Sequence, residues 1–394
     1  MPNTILTPNK ITREALRVLH QKLNFIGSIN RQYDDSFAKT GAKIGDSLRI
    51  REPNEYTVRS GMTMQTQDTV ERSTTLQVNN VKGVDLNFTS LDLTLHLDDF
   101  SDRIIKPAMS VLAATIEADA LSMALDINQV VNNIGNPMGL NQAIDARTVL
   151  TDALAPSDDR TLLLSTRDNA AFIKDTKGLF QSADTISKQY REGKVGVTSG
   201  FDPVYENTLL SAQATGTAAA TTGYTVGGAN QTGSSIAVTG GTTTFKKGDV
   251  ITLGVNRVHP ETKVDTGNLM TFVVTADYAG GAGSLQIAPE IFTTTGRQNV
   301  VASPANGAPI GKIGGASGIY RPSLAYHKDA FTFATADLIQ PDGVDWAARE
   351  VFDGISMSMV RQFNISDRTF PCRLDVLYGF KTLRRQLATR ILNN

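Results

Sequence analysis

Four histidines, one cysteine and three pairs of adjacent carboxylates are the residues of this sequence whose types could support chemistry. His20, His96, His259 and His327 lie far apart. No two stand at the i, i+4 spacing with which one helix face offers two ligands to a metal, so they read as hydrogen-bonded or surface groups. The carboxylate pairs are Asp34-Asp35, Asp98-Asp99 and Asp158-Asp159. Neighbouring residues point to opposite faces of a strand and do not face each other on a helix, so none of these makes an acid/base pair. Asp98-Asp99 suits the cap of the helix that follows it. Cys372 sits in an alternating apolar–polar run and reads as a buried small hydrophobe rather than a nucleophile. A single cysteine precludes an intrachain disulfide and a cysteine-rich metal site. The run Gly307-Ala-Pro-Ile-Gly311-Lys312-Ile313 fails as a phosphate loop. Its glycines are one residue too close, Ile313 replaces the hydroxyl residue that would hold magnesium, and Pro309 removes an N–H from the cradle. Gly311-x-x-Gly314-Gly315 follows no clear strand, and there is no Gly-x-Ser-x-Gly elbow. The densest basic group, Lys381, Arg384, Arg385 and Arg390, reads as a solvated face. The sequence therefore carries no enzyme signature and calls for no cofactor or metal.

With chemistry set aside, the sequence points to a protein that works by shape and contact. Its 394 residues suggest two or three domains. Apolar residues make up 40% and charged residues 20%, a globular composition. Lys+Arg 38 against Asp+Glu 39 excludes a wholly basic nucleic-acid binder, and the near-zero balance does not oppose self-association. The first twenty residues lack the pattern of a targeting segment, and no apolar run of about 18 residues is evident. The expectation is a soluble, intracellularly made protein without a membrane span. The sequons at Asn87, Asn230 and Asn364 then carry no meaning.

Along the chain, Thr7 and Pro8 open a first helix, with Ile11, Ala15, Leu19 and Leu23 as its apolar stripe. Leu48 and Ile50, then Val84, Leu86 and Phe88, alternate with polar residues as two half-buried strands. Between them, Glu52 to Asn80 is charged with both signs and too poor in apolar residues to form a core. A two-stranded ribbon of that length is marginal alone in water, so it is either a mobile loop or an arm that orders on a neighbour. Ile105, Met109, Leu112, Ile116, Ala120, Met123, Ile127 and Val130 then trace a spine helix. If continuous from Pro107 to Val131 it is about 37 Å long.

Helices over Ala143–Leu154, Asp168–Lys174 and Asp184–Arg191 alternate with extended segments at Thr161–Ser165 and Val195–Val204. Between Glu206 and Lys246 there is no charged residue. Short strands follow at Val250–Val255, Met270–Ala276 and Ser284–Ala288, with turns at Gly248-Asp249 and Gly280-Gly281. This reads as an all-β insertion, 215–318, whose two ends meet the mixed part of the chain. Leu324–Ala334, Ile355–Val360, Arg373–Gly379 and Ala388–Leu392 are extended again.

Several segments in this order resemble one family. They are Asn30-Arg-Gln-Tyr33, Lys43-Ile-Gly-Asp-Ser-Leu-Arg-Ile-Arg-Glu-Pro53, Gly200-Phe-Asp-Pro-Val-Tyr-Glu-Asn207, Phe245-Lys-Lys-Gly-Asp-Val-Ile-Thr-Leu253, Ala325-Tyr-His-Lys-Asp-Ala-Phe331 and Cys372-Arg-Leu-Asp-Val-Leu-Tyr-Gly379. They are similar to stretches of tailed-bacteriophage major capsid (coat) proteins, in the short-tailed branch that carries an inserted β-barrel. The resemblance implies an α+β fold of the Hong Kong type, with axial and peripheral domains, an extended β-hairpin arm, a spine helix, an N-terminal arm and the inserted all-β domain. It assigns 1–45 to the N-terminal arm, 46–90 to the hairpin arm and its base, and 91–140 to the peripheral domain. It assigns 141–214 to the first part of the axial domain, 215–318 to the insertion and 319–394 to the return into the core.

The implied function is self-assembly into hexamers and pentamers of an icosahedral shell around double-stranded DNA, held without sequence-specific binding. Scaffolding and portal proteins are implied partners, a decoration protein is a further one, and no membrane is. The implied location is the virion, after assembly in the host cytoplasm. The arm residues Arg49, Arg51, Glu52, Glu55, Arg59, Asp68, Glu71 and Arg72 are the expected intersubunit contacts. Some related shells are joined covalently through an arm lysine, but Ile44 to Val81 contains none, which implies a non-covalent shell. Alternatives are a capsid-like shell for other cargo, such as an encapsulin or gene-transfer particle, another repeating virion part, or a secreted carbohydrate-binding β protein.

Overall fold

The computed structural model describes residues 14–15, 23–32, 47–59, 61–69, 71–89, 106–176, 199–210, 212–294, 296–338, 343–352, 355–366 and 369–393. The chain divides into two compact units. The first takes Met1–Arg51, Ser73–Leu121 and Phe331–Leu383, and the second takes Glu52–Arg72, Ser122–Ala330 and Arg384–Asn394. Of the first expected helix only Glu14 and Ala15 lie among the described residues before Leu23, and both are helical. The expected helix over Asp184–Arg191 and the cap at Asp98-Asp99 lie outside them.

In the first unit the organising element is the long strand Thr369–Thr382. One edge pairs antiparallel with Asn80–Thr89, and the other with Ile355–Arg361 and then Phe331–Ala336. Trp346–Phe352 completes this sheet beside Ile355–Arg361. The spine helix, Lys106–Leu121, buries Met109, Leu112, Ile116 and Ala120 of the expected stripe, and Ala113 beside them. It is anchored by polar groups too. Glu117 is buried and accepts the Phe25 N–H at 2.9 Å, while the Tyr378 hydroxyl donates to Asp119. Burial first, and the Asp119 hydrogen bond second, push the Tyr378 hydroxyl well above the usual phenol range. The base of the arm is the hairpin Ser47–Arg51 with Ser73–Gln77, whose Ile50 and Leu76 pack with Val78, Ala334, Ala336 and Leu377. Gly379 leaves room for that base, since a Cβ there would lie 2.1 Å from the Gln77 carbonyl oxygen.

The spine helix is shorter than expected. After Leu121 the chain tightens into a 3₁₀ turn, Ser122–Asp126, and Val130–Asn132 is a strand beside Arg390–Leu392. Its sixteen residues give about 24 Å rather than 37 Å. Asn128, Asn132 and Asn133 are weak helix formers, and the β-branched Val130 and Val131 fit a strand. Lys106–Asp126 is, contrary to the expectation, long and apolar enough to cross a membrane by length and composition alone, but 56% of the qualifying window is buried within the protein.

The second unit has a mixed sheet in the order Val130–Asn132, Ala388–Asn393, Ile319–His327, Arg160–Leu164 and Val204–Glu206. The outer pairs are parallel and the inner ones antiparallel. Helices Leu140–Asp152 and Thr166–Thr176 belong to the same unit. The uncharged and alternating segments form a closed six-stranded barrel. Its order is Val250–Val258, Asp265–Val274, Gly283–Ile291, Gly233–Gly240, Thr221–Val226 and Pro309–Lys312. Alternate residues fill it: Tyr224, Val226, Ile236, Val238, Ile251, Leu253, Phe272, Val274, Leu285 and Ile287 share one cluster. Closure removes the exposed edges that short strands would leave.

Of the basic group expected as a solvated face, Lys381 is exposed and Arg384 and Arg385 are half-buried, but Arg390 is not at the surface. Arg390 is 0% exposed. It donates to the Gln213 amide oxygen at 2.7 Å and to the Gly248 carbonyl at 2.9 Å, and so ties the last strand to the root of the barrel. Asp249 reinforces that root by accepting the Gly216 and Lys246 N–H groups.

Candidate functional site

Of the groups first considered for chemistry, His20, His96, Asp34-Asp35 and Asp98-Asp99 lie outside the described residues, and none of the others makes a reactive site. Cys372 is buried, and burial pushes its thiol up to about 12. His327 is buried in the mixed sheet, and burial lowers its imidazole below the usual range despite the nearby Asp329. Lys312 of the rejected phosphate loop lies on a barrel strand and donates to the Gly216 carbonyl at 3.1 Å. Among the described residues no cluster of His, Cys, Asp and Glu could hold a metal.

The site that remains is the arm. Its described residues, 52–59, 61–69 and 71–72, carry no strand assignment and are tied by one backbone bond at the foot and by side chains beyond it. The Glu52 N–H donates to the Arg72 carbonyl at 2.9 Å. Gln67 accepts the Thr57 N–H at 2.9 Å and returns its own amide to the Thr57 carbonyl at 2.6 Å. The Tyr56 and Thr69 hydroxyls meet at 3.2 Å. Near the tip, Arg59 donates to the carbonyls of Gly61 and Thr63. The apolar side chains of this segment face solvent: Val58 is 96%, Met62 100% and Met64 77% exposed.

The foot of the arm is held by the barrel of its own chain. Arg72 lies 3.6 Å from Glu52 and 3.8 Å from Glu290, and Arg297 lies 3.8 Å from the same Glu290 oxygen. Both guanidinium groups address the Phe292 ring, Arg297 at 3.9 Å and Arg72 at 5.9 Å from its centroid. Glu55 reaches Lys263 at 3.9 Å, and Lys263 also donates to the Gln298 carbonyl. Burial holds Arg297 below the usual guanidinium range, the Arg72 charge adds to that, and Glu290, Glu55 and Glu52 oppose it. Burial likewise lowers Lys263, against Glu55. Each half-exposed pair is worth only about 0–1 kcal/mol, so the foot is held by their number.

The eight arm residues expected from the sequence thus divide. Glu52, Glu55 and Arg72 meet at the foot. Arg49 and Arg51 belong to the base hairpin, where Arg49 donates to Ser73. Arg59 is at the tip, and Asp68 and Glu71 are exposed on the returning side. Lys263, Glu290, Phe292 and Arg297 were not anticipated. Isolated charges and one aromatic ring in the loops and strand ends of the barrel carry no local pattern that would mark them as a group.

The family described as "P22 coat protein - gene protein 5" matches residues 38–389 of the chain. No curated protein sequence matches it. Similar solved structures include one from Mycobacterium phage Che8, with 13% identity, 92% of this chain and 89% of that chain covered, and a TM-score of 0.48. The mature capsid of bacteriophage PhiM1 shares 10% identity over 88% of this chain and 82% of that chain, with a TM-score of 0.40. A virus-like particle from Pyrococcus furiosus shares 8% identity over 97% of both chains, with a TM-score of 0.39.

Proposed function

This chain belongs to the P22 coat protein family, and from that premise we propose that its copies close into an icosahedral shell of hexamers and pentamers around packaged double-stranded DNA. It is a major capsid protein of a tailed bacteriophage and a structural part of the virion. The arm, spine helix and two sheets support the Hong Kong-type layout, and the closed barrel supports the branch that carries an inserted domain. Under this reading 46–90 is the hairpin arm with its base, 91–140 the peripheral domain, 141–214 and 319–394 the axial domain and core, 1–45 the N-terminal arm and 215–318 the inserted domain. Assembly takes place in the host cytoplasm with scaffolding and portal proteins, and a decoration protein is a further candidate partner. DNA is enclosed without sequence-specific contacts.

The observation that carries this reading beyond the family is the arm itself. It has no core of its own, it is fixed only at its foot, and it presents Val58, Met62 and Met64 to solvent. Many weak contacts of this type, repeated over a closed shell, give a stable assembly whose single joints still rearrange. Negative-stain electron microscopy of the protein, alone and with its scaffolding partner, should show closed shells or shells mixed with spirals. Monodisperse monomers in both samples would refute self-assembly.

The chemistry of the joints is also testable. With no lysine between Ile44 and Val81, the arm cannot supply an amine for an isopeptide bond. Particles boiled in denaturing detergent should run as one band near 42.4 kDa. A ladder of multimers would contradict a non-covalent shell.

A further inference from the structure

We propose that the barrel rim formed by Lys263, Glu290, Phe292, Gly296 and Arg297 is a seat for the chain's own arm, and that it presents the arm to a second copy of the chain rather than hiding it. The proposal deepens the capsid reading and rests on it for the role of the arm. Three independent features define the seat. The first is charge: Arg72 from the arm lies 3.8 Å from Glu290 of the barrel and Glu55 lies 3.9 Å from Lys263, while Glu52 stands beside Arg72 and Arg297 beside Glu290. The second is the Phe292 ring, shared by one arginine from each side. The third is shape. Gly296 lies against the arm backbone so closely that a Cβ there would sit 2.5 Å from the Glu55 carbonyl oxygen and 2.7 Å from its carbon.

Only the foot is seated. An autoinhibitory contact would bury the apolar tip, yet Val58, Met62 and Met64 remain open beyond the seat. An arm that is free until it docks loses its conformational entropy at the interface, whereas an arm held beforehand does not. The seat therefore supplies preorganisation: it sets the direction of the arm before a neighbour arrives.

The test uses the free full-length subunit. Trypsin should cut after Arg59, at the open tip, at least tenfold faster than after Arg72, at the seat. Gly296→Ala should raise the Arg72 rate several-fold and leave the Arg59 rate unchanged, which also reports that the fold persists. Assembly followed by light scattering should slow several-fold in the same variant. Glu55→Lys and Lys263→Glu should each behave as Gly296→Ala does, and the double exchange should restore protection and rate. Equal cleavage at Arg59 and Arg72 in the unaltered subunit, or no change in Gly296→Ala, would overturn the seat. Faster Arg72 cleavage with unchanged assembly would overturn the presenting role. An unaltered subunit that protects Arg72 but never assembles would instead overturn the capsid reading, and the presenting role with it, while supporting the seat.

Discussion

Replacing Arg390 by alanine should destabilise the second unit by about 3–5 kcal/mol, from the void left by a large, fully buried side chain and two buried acceptors left unpaired. Arg390 is surrounded on every side, and burial lowers its guanidinium to about 10 while Asp249 and Asp126 pull the other way. Truncation would leave the Gln213 amide oxygen and the Gly248 carbonyl without their donor and would leave a void. Arg390→Lys should cost less, about 1–3 kcal/mol, because one ammonium cannot reproduce the planar fork that reaches both acceptors. The check is the urea midpoint of the free subunit. A midpoint in Arg390→Ala within error of the original would show that the buried guanidinium is not what joins the last strand to the barrel root.

Phe272→Ala should cost about 3–5 kcal/mol as well, but in a confined region. Phe272 is fully buried in a cluster made only of barrel residues, Ala218 to Ile310. A cluster closed on itself can open as a sub-global unit while other sheets stay folded. Amide hydrogen exchange should accelerate in the barrel strands and remain slow in Thr369–Thr382. Because Glu290 and Phe292 lie at the end of a barrel strand, the same variant should also expose Arg72 to trypsin. Uniform acceleration across both units would contradict an independent barrel core.

These two residues mark what the sequence displays and what it conceals. The strand that carries Phe272 was legible, because Met270–Ala276 reads as extended from its own residues and needs no knowledge of partners. The charge-free stretch announced a change of module for the same reason. Arg390 was misread, because burial of a charge depends on acceptors such as Gln213 and Gly248 that are more than a hundred residues away in sequence. The spine helix failed at its end in the same manner. Met123, Ile127 and Val130 keep helical spacing, but pairing with Arg390–Leu392 decides that the chain turns into a strand. The arm was recognised by its lack of a core, while its seat on Glu290 and Lys263 is a long-range match of isolated charges. The order of strands around the barrel is equally a property of closure, which local periodicity does not encode.

The open methionines of the arm have a bearing on how the free subunit ages. A thioether in full contact with solvent oxidises before one in a core, and Met109 and Met357 are wholly enclosed whereas Met62 is wholly bare. Conversion to the sulfoxide turns an apolar tip into a polar one and leaves every sheet untouched. Peroxide damage would therefore accumulate first at the tip of the arm, and if that tip joins subunits as proposed, a stored preparation would lose its capacity to polymerise while still looking natively folded.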